Sequence, residues 1–226
     1  MPTSDSSQTT ASSVNTVPAT EPERSLFEVR HFLRKADHDR ALALLGQLLS
    51  RFPHHVEVIR EHIRCLKDAG RLTEAVEIYG YRQEHEPLVA LWQYALGFAY
   101  SWMGPSYREA AVELCTRALE LDPTLKWACY NIGFVRHEMG DVPGSVHYYE
   151  KAIQIDPKND TAYVFLGQVY KQEGRNDIAE RQFQNAIQAN GNNITALREL
   201  KLISDKKEKE KGIFGKILGI GSQKKR

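Results

Sequence analysis

The sequence contains few residues that could support cysteine or metal chemistry. Its 226 residues include three cysteines, Cys65, Cys115 and Cys129, which are widely spaced and form no Cys-x-x-Cys pair. This pattern argues against a disulfide framework and against a cysteine-based zinc site. It favours a reducing compartment, because disulfides are rare in the cytosol. We therefore expect a cytoplasmic protein whose thiols fill small apolar positions of the core.

Long hydrophobic runs and an excess of one charge are also missing. No apolar stretch approaches the ~18 residues that span a bilayer. The N-terminal residues have no basic start followed by an apolar run, as a secretory signal would. The formal net charge is +1, which argues against a nucleic acid partner. We expect at most a peripheral association with a membrane.

Motifs for catalysis are absent as well. The sequence has no Gly-x-x-x-x-Gly-Lys-Ser/Thr, no His-Glu-x-x-His and no Gly-x-Ser-x-Gly. The adjacent His54 and His55 have no carboxylate or cysteine at ligand spacing. We therefore predict that the protein is not an enzyme and uses no cofactor and no metal.

The feature that is present throughout is an internal period. Residues spaced by 34, 36, 34 and 34 positions recur in step, which predicts a repeat protein. One series contains small residues: Ala41, Ala75, Ala111, Ser145 and Ala179. Two further series contain prolines at Pro53, Pro87, Pro123 and Pro157, and glycines at Gly70, Gly104, Gly140 and Gly174.

Each unit reads as two helices. Segments such as TAYVFLGQVYKQEG end at a glycine, and a second segment such as DIAERQFQNAIQAN follows. Glycine suits a left-handed cap at the end of the first helix, and proline often follows the second because it cannot continue a helix. A small residue in each second helix predicts a close helix crossing. The first unit lacks the glycine, and the third has two extra residues in the turn 105–108.

The 34-residue unit, with its Leu-Gly, Tyr, Ala and Asp-Pro landmarks, resembles the tetratricopeptide repeat (TPR). YNIGFVRHEMGDVPGSVHYYEKAIQIDP and YVFLGQVYKQEGRNDIAERQFQNAIQAN are the clearest examples. The resemblance implies an all-α fold, a right-handed α-solenoid of about five helix-turn-helix repeats whose first helices line a concave groove. The expected organisation is a disordered Ser/Thr-rich tail over 1–22, repeats over 22–55, 56–89, 90–125, 126–159 and 160–193, a capping helix over 194–210, and a basic amphipathic tail over 211–226.

Several first helices carry apolar residues on two faces, which is typical of a helix that is buried on both sides or that binds a partner. We expect aromatic anchors for a partner, basic residues that pair with its acidic residues, and Asn131 as a hydrogen-bonding partner of its backbone. A structural hydrogen bond from Asn131 and an ordinary aromatic interior are open alternatives. The candidate groove residues are Tyr94, Phe98, Trp102, Trp127, Tyr130, Asn131, Phe134, Arg60, Arg64 and Lys67.

The C-terminal tail, KGIFGKILGIGSQKKR, combines lysines with large apolar residues at helical spacing. From residue 201 onward, nine Lys/Arg stand against three Asp/Glu. Such a segment is similar to short helices that lie on anionic membranes. Docking into an aromatic groove, its own or a neighbour's, is a second interpretation, and a solubilising end is a third. The residues concerned are Ile213, Phe214, Lys216, Ile217 and Leu218.

These features together favour a non-catalytic scaffold or adaptor that binds a peptide or helical segment of a partner protein. It would lie in the cytoplasm, with a peripheral position on a membrane or in a larger assembly left open. The alternatives are a chaperone that shields amphipathic segments of a secreted or assembling partner, a self-assembling homo-oligomer, and a regulatory subunit of an enzyme.

Overall fold

A computed structural model of the chain describes the backbone of residues 20–217 and the side chains of residues 20–210. Over that range the chain forms eleven α-helices, one 3-10 turn and no strand. The helices are Glu21–Arg34 (α1), His38–Arg51 (α2), Val56–Asp68 (α3), Leu72–His85 (α4), Ala90–Tyr100 (α5), Arg108–Leu121 (α6), Lys126–Glu138 (α7), Val142–Ile155 (α8), Asp160–Gln172 (α9), Asn176–Ala189 (α10) and Ile194–Ile217 (α11).

The helices form an α-solenoid of five pairs followed by α11. Each helix packs on its neighbours in sequence. The first helices of consecutive pairs (α1, α3, α5, α7 and α9) also contact one another. Because the first helices approach each other in this way, they form the inner, concave layer of the array. The recurring small residues of the second helices are fully buried where the two layers meet, as the period predicts.

A residue with a positive φ follows the first helix of every pair, and in the third pair it is Gly104, with a φ of 113°. Gly70, Gly140 and Gly174 have φ values of 72°, 81° and 74°. In the first pair the corresponding residue is Ala36, which adopts φ 55° although a Cβ makes this conformation costly by about 1–2 kcal/mol. The first unit therefore keeps the common turn without the glycine that marks it in the sequence.

Two local departures from the period have simple causes. The two extra residues of the third unit form the 3-10 turn Pro105–Tyr107 before α6. The last helix extends beyond 210, where the sequence analysis ended it, and reaches Ile217. Lysine and glutamate have high helix propensity, and pairs such as Lys206–Glu210 (4.0 Å) support the helix at i,i+4 spacing.

Close packing at Gly97 yields a first prediction. A Cβ at Gly97 would lie 2.8 Å from the Cys115 sulfur and 3.1 Å from the Ala111 carbonyl oxygen. Gly97→Ala should therefore lower the free energy of unfolding by about 1–3 kcal/mol through overpacking. Gly46, in the middle of α2, has open space around it. Gly46→Ala should instead raise the free energy of unfolding by about 0.5–1 kcal/mol.

Urea unfolding of both variants, followed by circular dichroism, checks the opposite signs. An equal gain in the two variants would show that α5 and α6 are not in close contact at Gly97.

Candidate peptide-binding groove

The concave face is built from equivalent positions of the first helices. Two positions one turn apart face the groove in units two to five, because residues four apart share a helix face. They carry Arg60 and Arg64 in α3, Tyr94 and Phe98 in α5, Tyr130 and Phe134 in α7, and Val164 and Gln168 in α9. The groove therefore changes from basic to aromatic to mixed along the array.

Four aromatic residues, from α5, the turn after it and α7, form a chain of ring contacts. Tyr94 stacks on Phe98 with ring centroids 5.9 Å apart, and Phe98 meets Trp102 edge-on at 6.3 Å. Trp102 then reaches Phe134 of the next unit at 5.2 Å. Such pairs contribute about 0.5–1.5 kcal/mol each beyond their buried area. The cluster therefore connects the third and fourth units across the concave face.

A second aromatic cluster joins α7 to α9 and includes Phe165, a residue that the sequence pattern did not assign to the groove. Tyr130 contacts Trp127 at 5.9 Å and meets Phe165 edge-on at 4.8 Å. Phe165 also stacks on Tyr149 of α8 at 5.9 Å. In the sequence, only the aromatic character of Phe165 could have indicated a place in this cluster. The equivalent residues of the two preceding units, Ala95 and Asn131, are not aromatic.

Arg60 reaches across α5 to the fourth unit. Its guanidinium lies 3.4 Å from the ring centroid of Trp127 and 5.9 Å from that of Phe98. The residue is 4% exposed and forms a salt bridge to Glu57 at 3.1 Å. Its Nε has no hydrogen-bond partner among the described residues. A buried arginine on a tryptophan face contributes up to about 2 kcal/mol when it is desolvated.

The other two basic residues are more accessible. Lys67 lies 4.2 Å from the Trp102 ring centroid and pairs with Asp68 at 3.2 Å. Arg64 is half-buried, and no ion pair or hydrogen bond joins it to the rest of the described chain. Arg64 is therefore the cation on this face that is open to a partner carboxylate.

The tyrosine hydroxyls of the groove stay neutral. Burial raises the pKa of Tyr94 and of Tyr130 above their usual range, while the positive charges of Arg60 and Arg64 act in the opposite direction. Both hydroxyls therefore remain able to donate a hydrogen bond over the physiological pH range.

Burial divides the candidate residues into two groups. Tyr94, Phe98, Tyr130 and Arg60 are buried and form the floor of the groove, whereas Asn131 is buried in the core. Because neighbouring inner helices pack closely, these side chains offer a ligand only their edges. The accessible residues are Trp102, which is 36% exposed, and the half-buried Trp127, Phe134, Arg64 and Lys67.

Asn131 makes the structural hydrogen bond that the sequence analysis left open. Its side-chain nitrogen donates to the Cys115 sulfur at 3.2 Å, which joins α7 to α6 in the core. Burial raises the pKa of the Cys115 thiol to about 12, although this hydrogen bond lowers it. All three cysteines are buried and unpaired, as expected.

The tail residues fall at the limit of the described structure. The α11 backbone includes Ile213, Phe214, Lys216 and Ile217, but their side chains are outside the described residues, as is Leu218 altogether. None of the described helices is both long enough and apolar enough to cross a bilayer. Within residues 20–210, no group of histidine, cysteine and carboxylate side chains could hold a metal ion.

Comparisons with known proteins agree with this architecture. Three TPR family models match the chain, described as "TPR repeat" over residues 135–174 and "Tetratricopeptide repeat" over residues 32–96 and 160–193. Together they cover more than half of the sequence. The chain belongs to the tetratricopeptide repeat family.

One curated relative is Anaphase-promoting complex subunit 3 of Schizosaccharomyces pombe, 31% identical over 96 residues. The match covers 42% of this chain and 14% of the relative. Two solved structures share the fold at 18% identity. A chain of the APC/C hetero-tetramer Cut9-Hcn1 has a TM-score of 0.67 and covers 83% of this chain and 35% of its own. A thermophilic TPR protein of Thermus thermophilus has a TM-score of 0.66, with 80% and 97% covered.

The family and the concave inner face, which is lined by aromatic and basic residues, define the class of protein. The chain is a TPR protein–protein interaction scaffold.

Proposed function

We propose that the chain binds a segment of a partner protein in its concave groove. Trp102 and Phe134 are the apolar anchor site of this groove. The observation that carries the proposal is that Trp102 stays 36% exposed within an aromatic cluster whose other members are mostly buried. A large aromatic residue that a fold leaves open on a concave face is the kind of side chain that dominates binding energy in interfaces.

The charge of the groove indicates what the bound segment carries. Arg64 has no partner among the described residues, and Lys67 lies over the exposed Trp102. A segment with acidic residues ahead of large apolar residues would place its carboxylates near these cations and its apolar side chains on Trp102 and Phe134. Such a segment would be extended or helical.

The proposed setting is a larger assembly. The curated relative is named as a subunit of a complex, and one structural neighbour is part of a hetero-tetramer. By analogy, this chain would recruit or hold a partner subunit rather than act on a substrate.

Peptide selection on the purified full chain tests the proposal. A displayed library of random peptides would be selected against the protein, and affinities of the selected peptides would be measured by fluorescence polarisation. We expect acidic residues ahead of apolar ones. Trp102→Ala and Phe134→Ala should each weaken binding about tenfold or more, as expected for central anchors. Arg64→Glu should weaken binding of the same peptides.

Tyr107→Ala is the matched control for this experiment. Tyr107 is an aromatic residue with similar exposure, 38%, but it lies in the 3-10 turn before α6 and contacts neither Trp102 nor Phe134. Its replacement should leave the affinity unchanged. If the selected peptides bind equally well to Trp102→Ala and Phe134→Ala, the groove is not the binding site.

A further inference from the structure

The outer face of α4 is unusually apolar and exposed. Ile78 and Tyr81 are 42% and 61% exposed, and Leu88, in the turn after the helix, is 78% exposed. His85 stacks on Tyr81 with ring centroids 3.8 Å apart. Ile78, Tyr81 and His85 are spaced i, i+3 and i+7, so they form one stripe along the helix. The stripe faces away from the core, which α4 contacts through the buried Tyr79.

The other second helices do not share this stripe. The position of Tyr81 is polar in every other unit, so an exposed aromatic residue there is not a requirement of the repeat. The equivalent residues are Gln47, Arg117, Lys151 and Asn185.

Two unpaired carboxylates border the stripe. Glu77 and Glu84 are exposed and lie seven residues apart, two helical turns. Their angular positions place both on the Tyr81 side of the stripe. Neither forms an ion pair with any residue in the described part of the chain. An apolar stripe with an acidic edge would suit a helix that has an apolar face and a basic edge.

The end of α11 is a helix of that kind. Lys207 pairs with Glu180 at 2.5 Å and with Asp177 at 3.4 Å, in the first turns of α10. α11 nevertheless continues for ten residues to Ile217, about 15 Å at the rise of an α-helix. Because Lys207 already lies beside the first turns of α10, the extension runs beyond the N-terminal end of α10, the helix that supports α11. These last turns of α11 are without the support of α10, so they gain from a partner.

The sequence of the extension matches the acidic stripe. Lys209 and Lys216 are seven residues apart, the same spacing as Glu77 and Glu84. Between and after them, Ile213 and Ile217 are one helical turn apart. In helical register Ile213 and Ile217 follow the two lysines by about 40–100°, and Phe214 follows them on the same side. The apolar positions therefore have Lys209 and Lys216 along one edge and Lys211 beyond the other. Lys209 is exposed and has no ion pair among the described residues.

We propose that the α11 extension of one copy docks on the α4 stripe of a second copy, so that the protein self-associates. The contact cannot form within one chain, because three repeats separate α4 from α11 and α11 is helical up to Ile217. The concave groove is a poorer site for this lysine-rich segment, since Arg60, Arg64 and Lys67 give it the same sign of charge. The α4 surface is separate from the groove, so the proposal does not depend on peptide binding.

Sedimentation velocity of the full chain tests the proposal. We expect a mass above the monomer at high protein concentration and low salt. The double variants Lys209→Glu/Lys216→Glu and Glu77→Lys/Glu84→Lys should each self-associate at least tenfold more weakly. An equimolar mixture of the two variants should regain association, because each extension then meets a stripe of opposite charge on the other variant. Tyr81→Ser should also weaken association, whereas Tyr107→Ser should not.

Two outcomes would overturn the proposal. One is a wild-type chain that stays monomeric at every concentration. The other is association that both double variants retain or that mixing them does not restore. Co-sedimentation with phosphatidylserine vesicles identifies the rival occupant. If only Lys209→Glu/Lys216→Glu loses vesicle binding and no self-association is seen, the extension contacts lipid instead. Circular dichroism of each variant confirms that the helices are intact.

Discussion

Replacing Phe98 with alanine is expected to lower the free energy of unfolding by about 3–5 kcal/mol, the usual cost of removing a buried phenylalanine ring. Phe98 is 4% exposed and lies between Tyr94, Trp102 and the Arg60 guanidinium. The alanine variant would leave a cavity under Arg60. Chemical unfolding measured by tryptophan fluorescence and by circular dichroism would give the change.

Comparing Trp102→Ala with Phe98→Ala separates an effect on binding from an effect on folding. Because Trp102 is 36% exposed, its loss should cost only about 1–2 kcal/mol, while removing the proposed anchor. Loss of peptide binding in Phe98→Ala would therefore report on folding, whereas loss in Trp102→Ala would report on the groove. A Phe98→Ala variant as stable as the wild type would show that the concave face is open at this position.

The difference between Phe98 and Trp102 shows what the sequence could predict about the site. The helical period correctly groups Tyr94, Phe98, Tyr130 and Phe134 on the inner helices, because a period depends only on spacing. Burial depends on how closely α3, α5 and α7 approach one another, and spacing within one helix carries no such information. The contact of Arg60 with Trp127 joins residues two repeats apart, so no local pattern could indicate it.

The fold itself was far more predictable, for a physical reason. Helix packing joins each repeat to its neighbours along the chain, so a short sequence pattern specifies most of the local contacts. The glycine series predicted the left-handed caps, and the small residues predicted the close helix crossings. Ala36 shows the limit of this reasoning. The packing around Ala36 holds it at a positive φ that an alanine does not favour. The sequence pattern alone therefore could not predict this turn.

His62 gives the second large expected effect, a loss of stability in mild acid. His62 is 8% exposed in α3, and its Nδ1 lies 3.0 Å from the Tyr79 hydroxyl of α4. Burial, together with the positive charge of Arg71, lowers the pKa of His62 from 6.5 to about 4, although Glu74 acts in the opposite direction. The folded protein therefore keeps this ring neutral at pH values where the unfolded chain protonates it.

The direction of the pH dependence follows from proton linkage. At neutral pH both states carry a neutral His62, so the group makes no difference to stability. As the pH falls from about 6.5 to 4, the unfolded state binds a proton that the folded state does not, and the free energy of unfolding decreases. With these pKa values the loss is about 2.5 kcal/mol at pH 4.5. Below pH 4 the folded state takes up the same proton, and this contribution stops growing.

Urea unfolding at pH 7.5 and pH 4.5 would measure the effect in the wild type and in His62→Gln. The variant should lose about 2.5 kcal/mol less than the wild type between the two pH values, because glutamine does not titrate. His147→Gln, at an exposed histidine, should keep the wild-type dependence. Carboxylates with a lowered pKa, such as Asp156 beside Lys126, lose most of their stabilising effect at more acidic pH, and because the wild type and His62→Gln both carry them they do not account for the difference between the two. Equal losses in the wild type and His62→Gln would mean that His62 is not kept neutral by the helix pair that surrounds it.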